Sequence, residues 1–551
     1  MWMSYCQKHH HTSCSTPKLH KRGRLFNTKI IDCTTREISN FSGDAEYVAL
    51  SYVWGASATT VPCIHTDDGR VYLPPDMPRT IEDAIAVVLG LRLQYLWVDQ
   101  YCIDQGDSVE MNRQLRLMDL IYNFAALTIV ASAGDSATFG LPGVSCPRDS
   151  QPMISLEGRL WVSALEDPRE CVARSKWNTR AWTFQEGLFG RQRLLFTKTQ
   201  VLFECNGPDC FFESLILDPH RFASKGTTST LLRGDRTGWD SFLYNVSEYT
   251  KRETSFQSDA LNGLQGIFAH LFSTQEVIQW WGIPSHKEGI QKFFVPSLLW
   301  HIDSAVPPRR REGFPSWSWC GWIAPVSWEA PTWMKSGRST EKRRLFSGSG
   351  SNSVVDTVCA IQFQTPEGNP VSVEQATAEL KDSHGSTPLR YSQNVLIEAE
   401  IIRVCFSELS APVHESEFGF VSAQHPVILA AVSQMTFGGQ KVRITWPLRS
   451  MFSITEDPRL HPIHRAEPLK VVVIDKLYGL VVCAVGDVQE RIGLIKLEGE
   501  IEPEDDRALQ LHVVECEERW CGGSKEAGPV TRPSAHLRDH FPCARETVVV
   551  G

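Results

Sequence analysis

Three apolar runs, residues 47–53 (YVALSYV), 95–98 (YLWV) and 127–131 (LTIVA), alternate with two amphipathic stretches. That alternation constrains the fold more than any other feature. The runs are short, β-branched and aromatic, as buried strands are. Between the first two, Ile81, Ala84, Ile85, Val88 and Leu89 recur at i, i+3, i+4, i+7 and i+8, with Thr80 and Asp83 as a capping pair and Gly90 as a stop. Between the second and third, Met111, Leu115, Met118 and Tyr122 form an apolar stripe behind Ser108 as cap. Strand, helix, strand, helix, strand predicts an α/β fold whose mostly parallel sheet is flanked by helices. The turns after Val53, Val98 and Ala131 then open on one edge, where sheets of this kind bind ligands.

Polar chemistry crowds that edge. The second strand leads into Asp99, Gln100, Cys102, Asp104 and Gln105 within one short loop, and the first leads from Ser51 to Trp54 and Gly55. Residues 177–186 (WNTRAWTFQE) read as a loop entering a helix on which Trp182 and Glu186, four apart, share a face. The candidate catalytic residues are therefore Glu186, Asp99 and Asp104, and the candidate ligand-binding residues are Ser51, Trp54, Gly55, Arg180, Trp182 and Gln185. Cys102 is a weaker candidate nucleophile, because the nearest histidine in sequence is His65. The competing reading makes the same groups a hydrogen-bonded structural core, with Asp99 on loop amides and Arg180 paired to Glu186.

At 551 residues the chain has room for three or four folded units, and its 42% apolar and 22% charged residues are those of a globular protein. A net charge of −9 speaks against polyanion binding; the basic runs at 309–311 and 342–344 lack interleaved aromatics, so no nucleic-acid partner is expected. No signal peptide or membrane-length apolar stretch is present, which points to the cytoplasm and to sixteen reduced cysteines. There is no Gly-x-Gly-x-x-Gly after a strand, Walker A loop, His-Glu-x-x-His or nucleophile elbow.

Residues 1–23 read as a disordered tail: Cys6, His9, His10, His11 and Cys14 fit no closed zinc module and no second ligand pair follows nearby, so no metal is expected. A strand at 160–162 and a hairpin at 194–205 close the first unit. Residues 216–330 read as a helical, tryptophan-rich region whose cluster at 314–322 packs between subdomains, or else stacks a ligand or contacts a partner. Residues 331–390, with Ser347-Gly348-Ser349-Gly350-Ser351, read as a linker or disordered insertion, 391–515 as a β-rich region and 516–551 as a tail.

Set side by side, 47–55 (YVALSYVWG), 96–105 (LWVDQYCIDQ) and 180–186 (RAWTFQE) resemble the three signature blocks of the fungal heterokaryon incompatibility (HET) domain family. Residues 121–125 and 140–143 also look like family sequence, and the resemblance covers about residues 24–215. It implies a TIR-like, flavodoxin-related fold and a role as effector or signalling module in non-self recognition and programmed cell death, through a protein partner or self-association. Some TIR-like domains cleave the nicotinamide–ribose bond of NAD, which implies NAD as a candidate substrate and no resident cofactor. In that chemistry a carboxylate from Asp99, Asp104 or Glu186 would face the oxocarbenium-like charge, Trp54 or Trp182 the nicotinamide, and Arg180 a phosphate. A third, non-enzymatic reading treats the chain as a binding scaffold whose tryptophan cluster contacts a partner.

Overall fold

A computed structural model describes residues 1–10, 14, 25, 28–41, 43, 45–55, 61–148, 151–163, 165–207, 210–213, 239–268, 277–286, 294–295, 297–302, 308–328, 359–373, 375–376, 391–404, 406–408, 429–437, 440–450, 469–474, 478–496, 498–503, 534–536 and 543–550. The chain divides into two compact units, Met1–Phe242 with Lys251–His270, and Leu243–Thr250 with Leu271–Gly551.

In the first unit the strands are β1 (Lys29–Asp32), β2 (Glu37–Asn40), β3 (Tyr47–Ser51), β4 (Ile64–His65), β5 (Val71–Tyr72), β6 (Tyr95–Trp97), β7 (Leu127–Ala131), β8 (Met153–Leu156), β9 (Arg159–Val162), β10 (Gln192–Phe196), β11 (Val201–Cys205) and β12 (Cys210–Phe212). The helices are α1 (Trp2–His9), α2 (Arg79–Gly90), α3 (Asp99–Cys102), α4 (Ser108–Leu115), α5 (Met118–Phe124), α6 (Pro168–Ala173), α7 (Lys176–Thr179) and α8 (Ala181–Phe189). Apart from the β8–β9 hairpin, the strands form one ten-stranded sheet in the order β12-β11-β10-β7-β3-β6-β1-β2-β5-β4. Its centre is parallel: β10 with β7, β7 with β3, and β3 with β6. Every residue of β3 and β7 is buried, as expected of parallel strands covered on both faces. Around this core the sheet is mixed, because β1, β2, β5 and β4 continue it antiparallel on one side and β11 and β12 on the other.

The three expected strands and the helices between them are therefore present, but their ends are satisfied differently. Thr80 and Asp83 do not cap α2, whose N-cap is Pro78. Instead Gly140 N donates to Thr80 Oγ1 (3.0 Å) and Leu141 N to Asp83 Oδ2 (2.6 Å), so the helix pins the loop that follows β7. Leu89, expected on the core face, is exposed. At α4 it is Asp107 that receives the Val109 and Glu110 amides, the role expected of Ser108. The run from Met111 to Tyr122 breaks into two helices rather than one. The amino terminus, read as a tail, begins with α1, whose Trp2 and Tyr5 lie against Phe211 of β12 at ring separations of 6.3 and 5.2 Å. Such aromatic packing against a distant strand is invisible to a local pattern.

The second unit is mostly β-structure. The region expected to be helical holds the helix Trp239–Thr250 and 3-10 turns at Gln257–Ala260, Asn262–Leu264 and Trp319–Gly321, and it also contributes short antiparallel pairs: Val277–Trp280 with Ile283–His286, Trp300–Ile302 with Val326–Trp328, and Arg309–Arg310 with Trp322–Ile323. A twelve-stranded sheet forms the β-rich carboxy-terminal region. Four of its strands come from segments expected to lack structure: Ala360–Gln364, Pro370–Ser372, Ser534–His536 and Cys543–Val550. Of these, Ala360–Gln364 and Cys543–Val550 both pair antiparallel with Val395–Val404. The Ser347–Ser351 run and residues 377–390 and 504–533 lie outside the described residues.

Trp280, Trp300, Trp317, Trp319 and Trp322 are fully buried, which corrects the ligand-stacking and partner-contact readings of the tryptophan cluster. Four of their indoles donate to backbone carbonyls: Trp300 to Trp317, Trp317 to Gln393, Trp319 to Gly282 and Trp322 to Ser316, at 2.7–3.0 Å. Arg491 is wholly buried with its guanidinium 4.0 Å from the Trp300 ring centre, adding a cation–π contact inside the core.

Arg193 on β10 and Glu204 on β11 face each other in register and form a fully buried ion pair at 3.3 Å. Arg193 Nη1 also donates to the carbonyls of Gly187 and Gly190 at the end of α8, so one side chain ties the hairpin to the helix. Removing only one charge leaves the other buried without its in-register partner. Arg193→Leu is expected to cost roughly 3–5 kcal/mol, and Arg193→Leu with Glu204→Leu to recover most of it, in chemical denaturation of the full chain. Equal stability of the single variant and wild type would contradict the pairing.

Candidate active site

The parallel core sends the ends of β3, β6 and β7 to one edge, and α8 reaches the same edge from a distant part of the chain. Ser51, the last residue of β3, is wholly buried. Its Oγ donates to Glu186 Oε2 on α8 at 2.5 Å and accepts from Trp177 Nε1 on α7 at 2.7 Å. Trp177 is held in place because Ser175 caps α7, receiving the Asn178 amide. Helix α8 starts at Ala181 with Arg180 extended before it, which turns the arginine back so that Nη1 donates to Tyr52 O at 3.2 Å.

Asp99 opens the single-turn helix α3 directly after β6. Oδ2 accepts from Trp54 Nε1 at 2.9 Å, and Oδ1 accepts from the Gln100 amide at 2.8 Å. Gln100 is itself fixed by the Tyr52 hydroxyl, which donates to its Oε1 at 2.8 Å. Asp99 keeps some solvent access, whereas Glu186 is almost completely enclosed.

These enclosures set the protonation chemistry. Burial pushes the Glu186 carboxyl up to about 7, with the Asp99 charge adding to the rise and the Ser51 hydroxyl, Arg180 and Tyr122 opposing it. Burial likewise raises Asp99 to about 6, against the pull of Arg180, the Gln100 amide and the Trp54 indole. Both carboxyls are held above the usual carboxylate range, and the Asp99 charge adds to the rise at Glu186, a recurrent arrangement in acid–base sites. An interior carboxyl and a more open one, flanked by an indole and a guanidinium, can hold or pass a proton and face a developing positive charge.

Of the candidate residues, the structure thus joins Ser51 with Glu186, Trp54 with Asp99, and Arg180 electrostatically with both carboxyls. Trp182 is half-buried on α8, one turn before Glu186. Three candidates play other parts. Asp104 sits in an exposed turn, where it accepts from the Gly106 amide at 3.0 Å. Gln185 points toward another segment, donating to Gly263 O at 2.8 Å and accepting from Asp119 N at 3.2 Å. That follows from helix geometry, since adjacent positions on α8 diverge by about 100°. Gly55 shapes the turn: its φ is +93°, and a Cβ would lie 2.9 Å from Ser136 Cβ. The nucleophile reading of Cys102 also fails. Burial pushes its thiol up to about 12 and it accepts the Val98 amide at 3.4 Å, while His65 is exposed on the edge strand β4.

Sequence reasoning missed Trp177, Tyr52, Gln100 and Tyr122 as members of this network. Trp177 and Tyr52 lie inside or beside the signature blocks, so their polar tips next to buried strands were the available signal. Tyr122 was assigned to an apolar stripe, yet its hydroxyl donates to Leu50 O at 3.0 Å, one residue before Ser51.

An acid whose folded pKa is raised holds its proton more tightly folded than unfolded. Its contribution is therefore present at low pH and is lost as pH rises through about 6 for Asp99 and about 7 for Glu186. Between pH 4.5 and 8, Glu186→Gln is expected to gain on wild type by about 3 kcal/mol, the order implied by a rise from 4.5 to about 7. Calorimetric unfolding of both full chains across that range measures this, and parallel profiles would contradict it.

Comparison with known proteins agrees with this geometry. Residues 47–186 match the family model described as heterokaryon incompatibility protein (HET), a span running from the start of β3 to Glu186. A relative from Neurospora crassa, heterokaryon incompatibility protein 6, OR allele, is 30% identical over 131 residues, which cover 21% of this chain and 19% of the relative. The match therefore spans about a fifth of that relative's length. No solved structure matches the chain. The segment that builds the parallel strands and carries Ser51, Asp99 and Glu186 is therefore the part of this chain that is similar to the HET family.

Proposed function

We propose that the protein is an effector or signalling module of fungal non-self recognition, triggering programmed cell death through its HET domain. The observation that carries this reading is the family match over residues 47–186, joined by the likeness to heterokaryon incompatibility protein 6 of Neurospora crassa. The fold supports it coarsely. In chain order the parallel strands lie second-first-third-fourth across the sheet, the order of flavodoxin-type doubly wound sheets, which favours the TIR-like assignment. The β8–β9 hairpin exposes Met153, Ile154, Leu156, Leu160 and Trp161, which supports a protein partner or self-association. Among the described residues no helix is long and apolar enough to cross a membrane. The proposed place of action is the cytoplasm that fused cells share.

A second reading, NAD glycohydrolase activity, is favoured by one observation: Asp99, the more open carboxyl, lies between the Trp54 indole and the Arg180 charge. In this reading ionised Asp99 faces the oxocarbenium-like ribose as the bond to nicotinamide breaks, and water completes the hydrolysis. Glu186 is then a positioning group, because its carboxylate is enclosed by Ser51. Asp104 and Gln185 take no part.

Expression of the full chain in a filamentous fungal host is expected to arrest growth, and Asp99→Asn at equal protein level to relieve the arrest. Normal growth with the wild-type chain would overturn the effector reading. Incubating the purified full chain with NAD is expected to release nicotinamide, about 100-fold less in Asp99→Asn. No release at any protein concentration removes the enzymatic reading alone.

A further inference from the structure

The amino-terminal helix brings a second cluster of reactive side chains into the first unit, away from the carboxyl pair. Cys6 lies on α1, His10 immediately follows it, Cys14 comes four residues later, and Cys205 ends β11. All four are buried. Their ligand atoms, three Sγ and one imidazole nitrogen each, fall within 4.8 Å of one another. We propose that Cys6, His10, Cys14 and Cys205 form a structural Cys3His zinc site that fastens the amino-terminal segment to the edge strands of the sheet.

Geometry argues for it first. In a tetrahedral site with Zn–S near 2.3 Å and Zn–N near 2.0 Å, ligand atoms stand about 3.5–3.8 Å apart. Cys205 Sγ and His10 Nδ1 are 3.3 Å apart, and the other ligand atoms lie inside the 4.8 Å limit. Four protein ligands close the coordination shell, as structural zinc sites do, and leave no open position for catalysis. His10 N donates to Cys6 O at 2.8 Å and Cys14 N to His10 O at 2.9 Å, so each four-residue step of Cys6-x3-His10-x3-Cys14 is closed by a backbone hydrogen bond between successive ligand residues.

Surrounding groups fit a metal-thiolate centre. Gly207 N donates to Cys205 Sγ at 3.3 Å, the kind of outer contact that steadies a thiolate. A Cβ at Gly207 would lie 2.4 Å from His10 Nδ1, so only glycine leaves room for the imidazole there. Three thiolates, one neutral imidazole and Zn²⁺ carry a net charge of −1, and a buried cation balances it nearby. Arg191 Nη1 donates to Cys14 O at 2.6 Å, while its Nε holds Asn123 O and its Nη2 holds Ala125 O. Packing of free thiols as small hydrophobes would explain three buried cysteines, but not an imidazole nitrogen converging on all three. The sequence spacing hides the site because the fourth ligand lies 205 − 14 = 191 residues downstream of the third.

The test uses the full chain purified under reducing conditions. Elemental analysis is expected to find about one zinc per chain. Cobalt exchange should give the visible d–d and near-ultraviolet thiolate charge-transfer bands of a tetrahedral site. Chelation should expose three additional thiols to a thiol reagent. Cys205→Ser and His10→Ala are expected to lower zinc content at least tenfold, whereas Cys171→Ser, outside the cluster, keeps it. Should the ligand variants fail to fold, the wild-type zinc content, cobalt spectrum and thiol count decide alone. Wild-type chain with no stoichiometric zinc and no tetrahedral cobalt spectrum overturns the site. Full zinc content in Cys205→Ser, or a Cys6–Cys14 disulfide in the reduced preparation, does the same.

Discussion

The Ser51 hydroxyl is the joint on which the edge of the ten-stranded sheet depends. It takes a hydrogen bond from the Trp177 indole and gives one to the Glu186 carboxyl, linking β3, α7 and α8 through a single oxygen. An enclosed carboxyl is costly unless its oxygens are matched or it keeps its proton. Here both remedies operate, since Ser51 donates to Glu186 and burial holds its pKa near 7. Asp99 extends the same field outward, where Trp54 and the Gln100 amide receive it and Arg180 offsets it. The edge is thus neither a plain core nor an open acid cluster. It is a graded pair, one carboxyl inside and one toward solvent.

Much of this was legible in the sequence because parallel strands leave a local trace. The runs at Tyr47, Tyr95 and Leu127 are short, apolar and separated by helices of the right period, so their order and the shared edge followed directly. Pairing of Ser51 with Glu186 was harder to foresee, since 135 residues separate them and only helix phase could place Glu186 inward. The same phase turned Gln185 away, which residue type alone did not reveal. Asp104 looked equivalent to Asp99 in the sequence. One lies at the carboxyl end of a buried strand and the other in a solvent turn, and that difference decided their chemistry.

Partners distant in sequence account for the remaining differences. Segments at 360–364 and 543–550 carried little local signal, yet both become strands because Val395–Val404 offers them hydrogen-bonding edges. The tryptophan cluster read first as packing and only second as a stacking surface, and four indoles of the second unit do donate to backbone carbonyls in a core that also encloses Arg491. At the amino terminus, Cys6, His10 and Cys14 looked like an incomplete set until β11 supplied Cys205. In each case the deciding contact spans tens to hundreds of residues.

The central claim is that burial and the Asp99 charge together make Glu186 hold its proton up to about pH 7. Infrared titration, with Glu186→Gln as the subtraction reference, observes that proton directly through its carbonyl stretch. The account predicts a protonated Glu186 band that fades with a midpoint near 7 in the wild-type chain and at a lower pH in Asp99→Asn. Absence of the band throughout the neutral range, or an unchanged midpoint in Asp99→Asn, would contradict it.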